Sequence, residues 1–144
     1  MLGANRVIKP FVQLVENRIP LLTGTIRQRA GDLTMKTALQ IQGRIRTGMA
    51  DAKSGRVYLR RGIAHQASAP GEMPAVDTSH LTNSIQVERM PDGASSAVFT
   101  NAEYAEVLEF GGVKTEARPF MQPAADAETA PFEAEAARLL TGWQ

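Results

Sequence analysis

Residues 85–100, Ile85-Gln86-Val87-Glu88-Arg89-Met90-Pro91-Asp92-Gly93-Ala94-Ser95-Ser96-Ala97-Val98-Phe99-Thr100, decide the fold class. Ile85 to Met90 alternates in the manner of a strand with one covered face. Pro91-Asp92-Gly93 is a turn signal, because Pro presets φ, Asp bonds its own backbone and Gly tolerates positive φ. Ser96 to Thr100 then returns as the antiparallel hairpin partner.

Upstream of this hairpin the pattern is helical. From about Leu22 to Ala50, Met35, Ala38, Ile41, Ile45 and Met49 recur at spacings of three and four, flanked by Arg44 and Arg46. Gly24, Gly31, Gly43 and Gly48 weaken that helix, each by about 1 kcal/mol against Ala, which predicts local bends. Residues 5–19 carry a weaker helical pattern, undercut by Pro10 and interrupted by Pro20. Between helix and hairpin, Arg56 to Arg60 alternates as a short strand ending in Arg61-Gly62. Residues 64–78, holding Pro70, Gly71 and Pro74 with few large apolar groups, predict an extended loop. Asp77 or Thr78 then caps a short helical turn through Leu81 and Asn83.

Downstream, Asn101 is placed to cap a helix from about Glu103 to Phe110, which Gly111-Gly112 stops. Tyr104, Leu108 and Phe110 have the spacing of core-packing side chains on that helix. A last helix, about Ala124 to Leu140, carries Ala127, Ala130, Ala134, Ala137 and Leu140 at spacings of three and four, with Pro131 as a point where it can split. There is no internal repeat. The fold class is α+β in a single domain, 1–144. Residues 1–50 form a helical N-terminal segment. A core at 54–124 holds a small antiparallel sheet with a short helix packed on it and an extended loop at 64–78. A C-terminal helix covers 124–140.

Composition narrows the functional classes. The chain has 144 residues, a 43% hydrophobic fraction and no cysteine, so thiol chemistry and disulfides are excluded. No apolar run approaches the ~20 residues of a membrane span, and Met1 to Phe11, carrying Arg6 and Lys9, does not resemble a signal peptide. The net charge of +1 hides a division: residues 1–72 hold twelve Lys or Arg against four acids, and residues 73–144 hold four against eleven. The basic residues can simply lie on the solvated face of a helix, and two functional readings of that half stay open beside this one. Arg44, Arg46, Arg60 and Arg61 face DNA phosphates, or they face the acidic half of a neighbouring subunit. Aromatic residues are few in that half, so base stacking is not indicated.

Catalysis finds little support. The two histidines, His65 and His80, lack a metal-ligand spacing, and no phosphate-cradling loop follows a strand. Glu103, Glu106 and Glu109 recur every three residues on the predicted helix and read as a solvated acidic face. No catalytic residue, metal ligand or cofactor site is assigned, and the chain is not expected to be an enzyme.

The segment His65-Gln66-Ala67-Ser68-Ala69-Pro70-Gly71-Glu72-Met73-Pro74-Ala75-Val76-Asp77-Thr78, followed by Leu81 and Asn83-Ser84-Ile85, resembles the signature of a family of small tail components. These are the neck and tail-completion proteins of long-tailed double-stranded DNA bacteriophages and prophages. Three further blocks keep the family's order. Ser54-Gly55-Arg56-Val57-Tyr58 precedes the signature, Thr100-Asn101-Ala102-Glu103-Tyr104-Ala105 with Leu108-Glu109-Phe110-Gly111 follows it, and Ala117-Arg118-Pro119-Phe120-Met121-Gln122-Pro123-Ala124 closes it. Ser79 stands where the family usually has Gly, which matters only if that position needs positive φ, and Gly112-Val113 replaces the usual Gly-Thr.

The resemblance implies a structural subunit of the virion, assembled in the host cytoplasm and built into the head–tail junction. It implies a six-fold ring around the DNA channel, touching head-closure or adaptor proteins on one side and a tail terminator or tail-tube protein on the other. Non-specific contact with genomic DNA is compatible with that position, and no membrane partner is implied. A small basic DNA-binding protein is the alternative. Ser68, Pro70, Gly71, Glu72, Pro74 and Asp77 of the loop, with Arg118 and Phe120, are the candidate interface. The two prolines lower the entropy cost of holding an extended arm that docks on a neighbour; the other reading packs the loop on its own subunit. Phe120 is expected to be buried, and Arg118 to pair with Glu103, Glu106 or Glu109.

Overall fold

The computed structural model describes residues 19–77 and 79–142. The weak helical pattern over 5–19, apart from Ile19, and the possible cap at Thr78 lie outside the described residues. Eight elements follow in order: α1 Ile19–Ala50, β1 Val57–Arg60, β2 Ile63–Gln66, α2 His80–Ser84, β3 Ile85–Arg89, β4 Ser96–Thr100, α3 Ala105–Phe110 and α4 Met121–Thr141.

The spine is α1, about 48 Å long at 1.5 Å per residue. Its predicted stripe is the face that packs: Ala38, Ile45 and Met49 are buried and Ile41 leans on the core. The helix is continuous despite its glycines, and two of these have a packing reason. A methyl group on Gly31 would collide with the Gly93 carbonyl oxygen, and one on Gly48 with the Met73 sulfur. These are points of close approach between α1 and the chain that crosses it; Gly24 and Gly43 face open space.

The predicted hairpin forms with Ile85 opposite Thr100 and Arg89 opposite Ser96. Asp92 builds its turn, the carboxylate accepting from the amides of Ala94 and Ser95 at 2.9 Å each. α1 lies along this hairpin. The Thr34 hydroxyl bonds the Ala94 carbonyl at 3.0 Å, and the Gln42 amide donates to the Ile85 carbonyl at 2.8 Å. Ile45, Met49, Leu81, Ile85, Ala102, Ala105, Phe120 and Ala124 form the core. Phe120 is buried as expected, at 1% exposure, and burying it fully contributes about 2–3 kcal/mol.

The architecture is the expected α+β one, with several corrections of detail. There are two two-stranded sheets, β1–β2 and β3–β4, where one was expected, and the helix laid along β3–β4 is α1. Residues 64–66 belong to strand β2, so the loop starts after Gln66. Arg61 (φ 51) and Gly62 (φ 81) make a two-residue turn of the kind that matches strand twist, which lets the chain double back. α3 begins at Ala105, with no side-chain cap from Asn101. The Ala102 amide is instead met by the Thr100 hydroxyl at 3.2 Å. Tyr104 and Phe110, expected in the core, are 44% and 78% exposed; α3 turns Ala105 and Glu109 inward instead, which leaves the two aromatic residues on its outer side. α4 runs unbroken through Pro131. Pro131 and Ala127, whose carbonyl loses its donor, are exposed residues, so water can satisfy that oxygen.

Candidate functional site

The signature loop, residues 67–77, is stitched to its own subunit at several points. The Gly55 amide donates to the Ala67 carbonyl and the Ala67 amide to the Arg56 carbonyl, each at 3.0 Å, so the β1–β2 ladder continues into the loop. Ser68 is buried and its carbonyl accepts from Arg118 Nε at 3.2 Å. The amide of Gly71 (φ 81) donates to the Ala117 carbonyl at 3.0 Å. Glu72 accepts from the Ala69 amide at 2.8 Å and from the Ser54 amide and hydroxyl. The Ser54 hydroxyl first, then those two amides, hold its carboxyl below the ordinary 4.5. Met73 packs against the core, Pro74 is buried and Pro70 is exposed. Asp77 closes the loop by pairing with Arg60, with His65 Nε2 3.8 Å away. Ser68 and Arg118 are therefore brought together, Glu72 and Asp77 are held by other contacts within the subunit, and Phe120 lies in its core.

Ser79 follows the loop at φ 60, in the left-handed region. A Cβ is disfavoured at such a φ, so this is a position that Gly would occupy with less strain.

The glutamates of α3 do not act as one face. Glu109 is buried, and its carboxylate accepts from the backbone amides of Phe120 (2.8 Å), Met121 (2.9 Å) and Gln122 (2.9 Å). It is the N-terminal cap of α4, supplied from 11 residues upstream of Phe120 because no local side chain does so. Helix N-termini leave orphan donors and a partial positive charge, and a carboxylate satisfies both. Arg118 therefore pairs with none of Glu103, Glu106 or Glu109. It lies against the Ser68 carbonyl, and Glu109 is already engaged. Glu103 and Glu106 are exposed, and no group of three potential metal ligands occurs among the described residues.

Part of the charge division is resolved inside the subunit. Arg44 pairs with the buried Glu128, and Lys36 Nζ lies 2.6 Å from Glu135, so the basic α1 and acidic α4 attract each other as they pack. Arg89 reaches Asp32 at 2.8 Å. Of the four candidate basic residues, Arg44 and Arg60 have intramolecular carboxylate partners. Arg46 and Arg61 are exposed.

Two surface features remain. The β1–β2 hairpin leaves Val57 (58%), Leu59 (76%) and Ile63 (66%) exposed, and no helix or other strand among the described residues packs closely on it. On another part of the subunit, α1, β4, α3 and α4 enclose an open groove of about 1040 Å³. Sequence reasoning missed both. The Arg-Gly pair before Ile63 was the available signal for the hairpin, whereas no local pattern announces a groove between four distant segments. No helix of the described residues is long and apolar enough to cross a membrane.

No curated protein and no solved structure matches the chain. A family model described as "Bacteriophage HK97-gp10, putative tail-component" matches residues 4–111, from before α1 to the end of α3. The signature loop, both hairpins and Glu109 lie within that match, and α4, which Glu109 caps, lies beyond it. The chain thus belongs to the HK97-gp10-like family of phage tail components, and its role is a structural, tail-related one in the virion.

Proposed function

We propose that this subunit works at the head–tail junction, as a neck, completion or terminator protein, in a six-fold ring that keeps the DNA channel continuous. Head-closure or adaptor proteins meet one side of the ring and a tail terminator or tube protein the other. Its work is mechanical, with no reaction to catalyse. Family membership supports a tail role, and the observation that carries the junction reading is the unfinished surface. Val57, Leu59, Ile63, Phe110 and Val113 are all more than half exposed, an apolar load that a subunit covers on assembly. The rival DNA-binding reading loses ground because Arg44 and Arg60 are already paired with Glu128 and Asp77. The test is a phage lacking this protein, viewed by electron microscopy. Filled heads and separate tails are expected; intact joined particles would overturn the junction reading.

A further inference from the structure

The exposed hairpin and the open groove differ in place but match in chemistry. Residues 55–71, which contain the hairpin, carry Arg56, Arg60, Arg61 and His65 and no acid. The groove wall includes Glu103, Glu106, Glu109, Glu128 and Glu133 and no Lys, Arg or His. Glu109 and Glu128 are engaged by α4's amides and by Arg44. Glu103, Glu106 and Glu133 are left without an ion-pair partner among the described residues, on a wall that mixes apolar side chains, Val98, Ala125 and Phe132 among them, with uncharged polar ones such as Thr37 and Thr129. On the hairpin, Val57 stands opposite Gln66 and Leu59 opposite Ala64, so one face presents Val57, Leu59 and Ala64 together, with Gln66 as its one polar member. An isolated two-stranded hairpin is marginal in water, and this one keeps its apolar side chains in solvent.

We propose that the β1–β2 hairpin of one subunit seats in the groove of the next copy, Val57 and Leu59 against Val98, Ala125 and Phe132, with Arg61 of the turn among Glu103, Glu106 and Glu133. The inference rests on the ring reading above and names the two surfaces that close it. The contact joins unlike patches, so each subunit has one free hairpin and one free groove until a ring closes. Desolvating the apolar face supplies most of the attraction, and the charges set register and exclude a hairpin-to-hairpin pairing of like sign.

The chain has no cysteine, which makes cross-linking clean. Leu59→Cys and Phe132→Cys are made as separate full-length proteins, each alone and mixed, then oxidised under assembling conditions. Cross-linked dimers only in the mixture are expected; Leu59→Cys bridging to itself would overturn the proposal. Independently, Arg61→Glu and Glu106→Arg should each weaken self-association about tenfold, and mixing both changes in one chain should restore it. A ring that forms with neither cross-link nor charge rescue sinks the hairpin–groove contact and leaves the junction reading standing. Assembly that instead depends on residues 1–18 filling the groove, with the cross-link absent, also overturns it. A phage that joins heads to tails without the protein removes both.

Discussion

Two hairpins of similar length, β1–β2 and β3–β4, meet different fates in one molecule. The second is roofed by α1, its Ile85 is 1% exposed, and its turn is tied to the helix by Thr34. No element among the described residues roofs the first, and its Ile63 is 66% exposed. Both are antiparallel and both have well-formed turns, so local pairing does not distinguish them. What distinguishes them is whether another element of the same chain removes their apolar face from water, the larger contribution to a sheet's stability. The uncovered hairpin is thereby the part of the subunit with most to gain from a neighbour.

The largest test exchanges the same residue in each hairpin. Ile85→Ala should destabilise the subunit by about 2–5 kcal/mol, through lost burial and a cavity, whereas Ile63→Ala should change it by less than about 0.5 kcal/mol. Chemical denaturation of both variants reads the difference, and equal losses would show that the first hairpin is covered within the monomer.

A smaller contrast lies between two glutamates three residues apart. Glu109→Gln keeps one acceptor oxygen but turns an NH₂ group towards backbone donors, and should cost about 1–3 kcal/mol. Glu106→Gln, on the exposed side, should stay within about 0.5 kcal/mol. Thermal melts followed by circular dichroism would separate them. If Glu109→Gln is silent, the cap on α4 is not what holds that helix to the body.

The smallest effect concerns Ser79, which joins the signature loop to α2. Its left-handed φ of 60 costs a non-Gly residue about 1–2 kcal/mol, and Gly gives back about 0.5–1 kcal/mol in unfolded-state entropy. Ser79→Gly should therefore stabilise the chain by about 0.5 kcal/mol. A loss on denaturant titration would mean that the serine side chain contributes more than its backbone strain removes.

Much of this was legible in residue order because it is governed by short-range physics. The alternation of 85–100 and the turn at Pro91-Asp92-Gly93 specify the β3–β4 hairpin, and the spacing of Ala38, Ile41, Ile45 and Met49 specifies the buried face of α1. Gly111 ends α3 where expected, with its amide bonded to the Val107 carbonyl at 2.9 Å. The signature loop was legible as a segment but not in its bonds. Its partners at Ser54, Ala117 and Arg118 are far along the chain, and periodicity carries no information about them.

The sequence by itself determined the fold class, the main helices, the second hairpin and the family kinship, which the match over residues 4–111 shows. Those rest on i-to-i+2 and i-to-i+4 relations and on residue identity. Only the tertiary structure decided that Glu109 caps a helix instead of facing water, since that depends on α3 ending beside the first turn of α4. It alone decided that Arg44 is matched by Glu128 of the same subunit, because α1 and α4 pack together. It also decided which apolar residues stay exposed. Tyr104 and Phe110 have core spacing and lie outside, because burial is set by what arrives from elsewhere in the chain to cover a face.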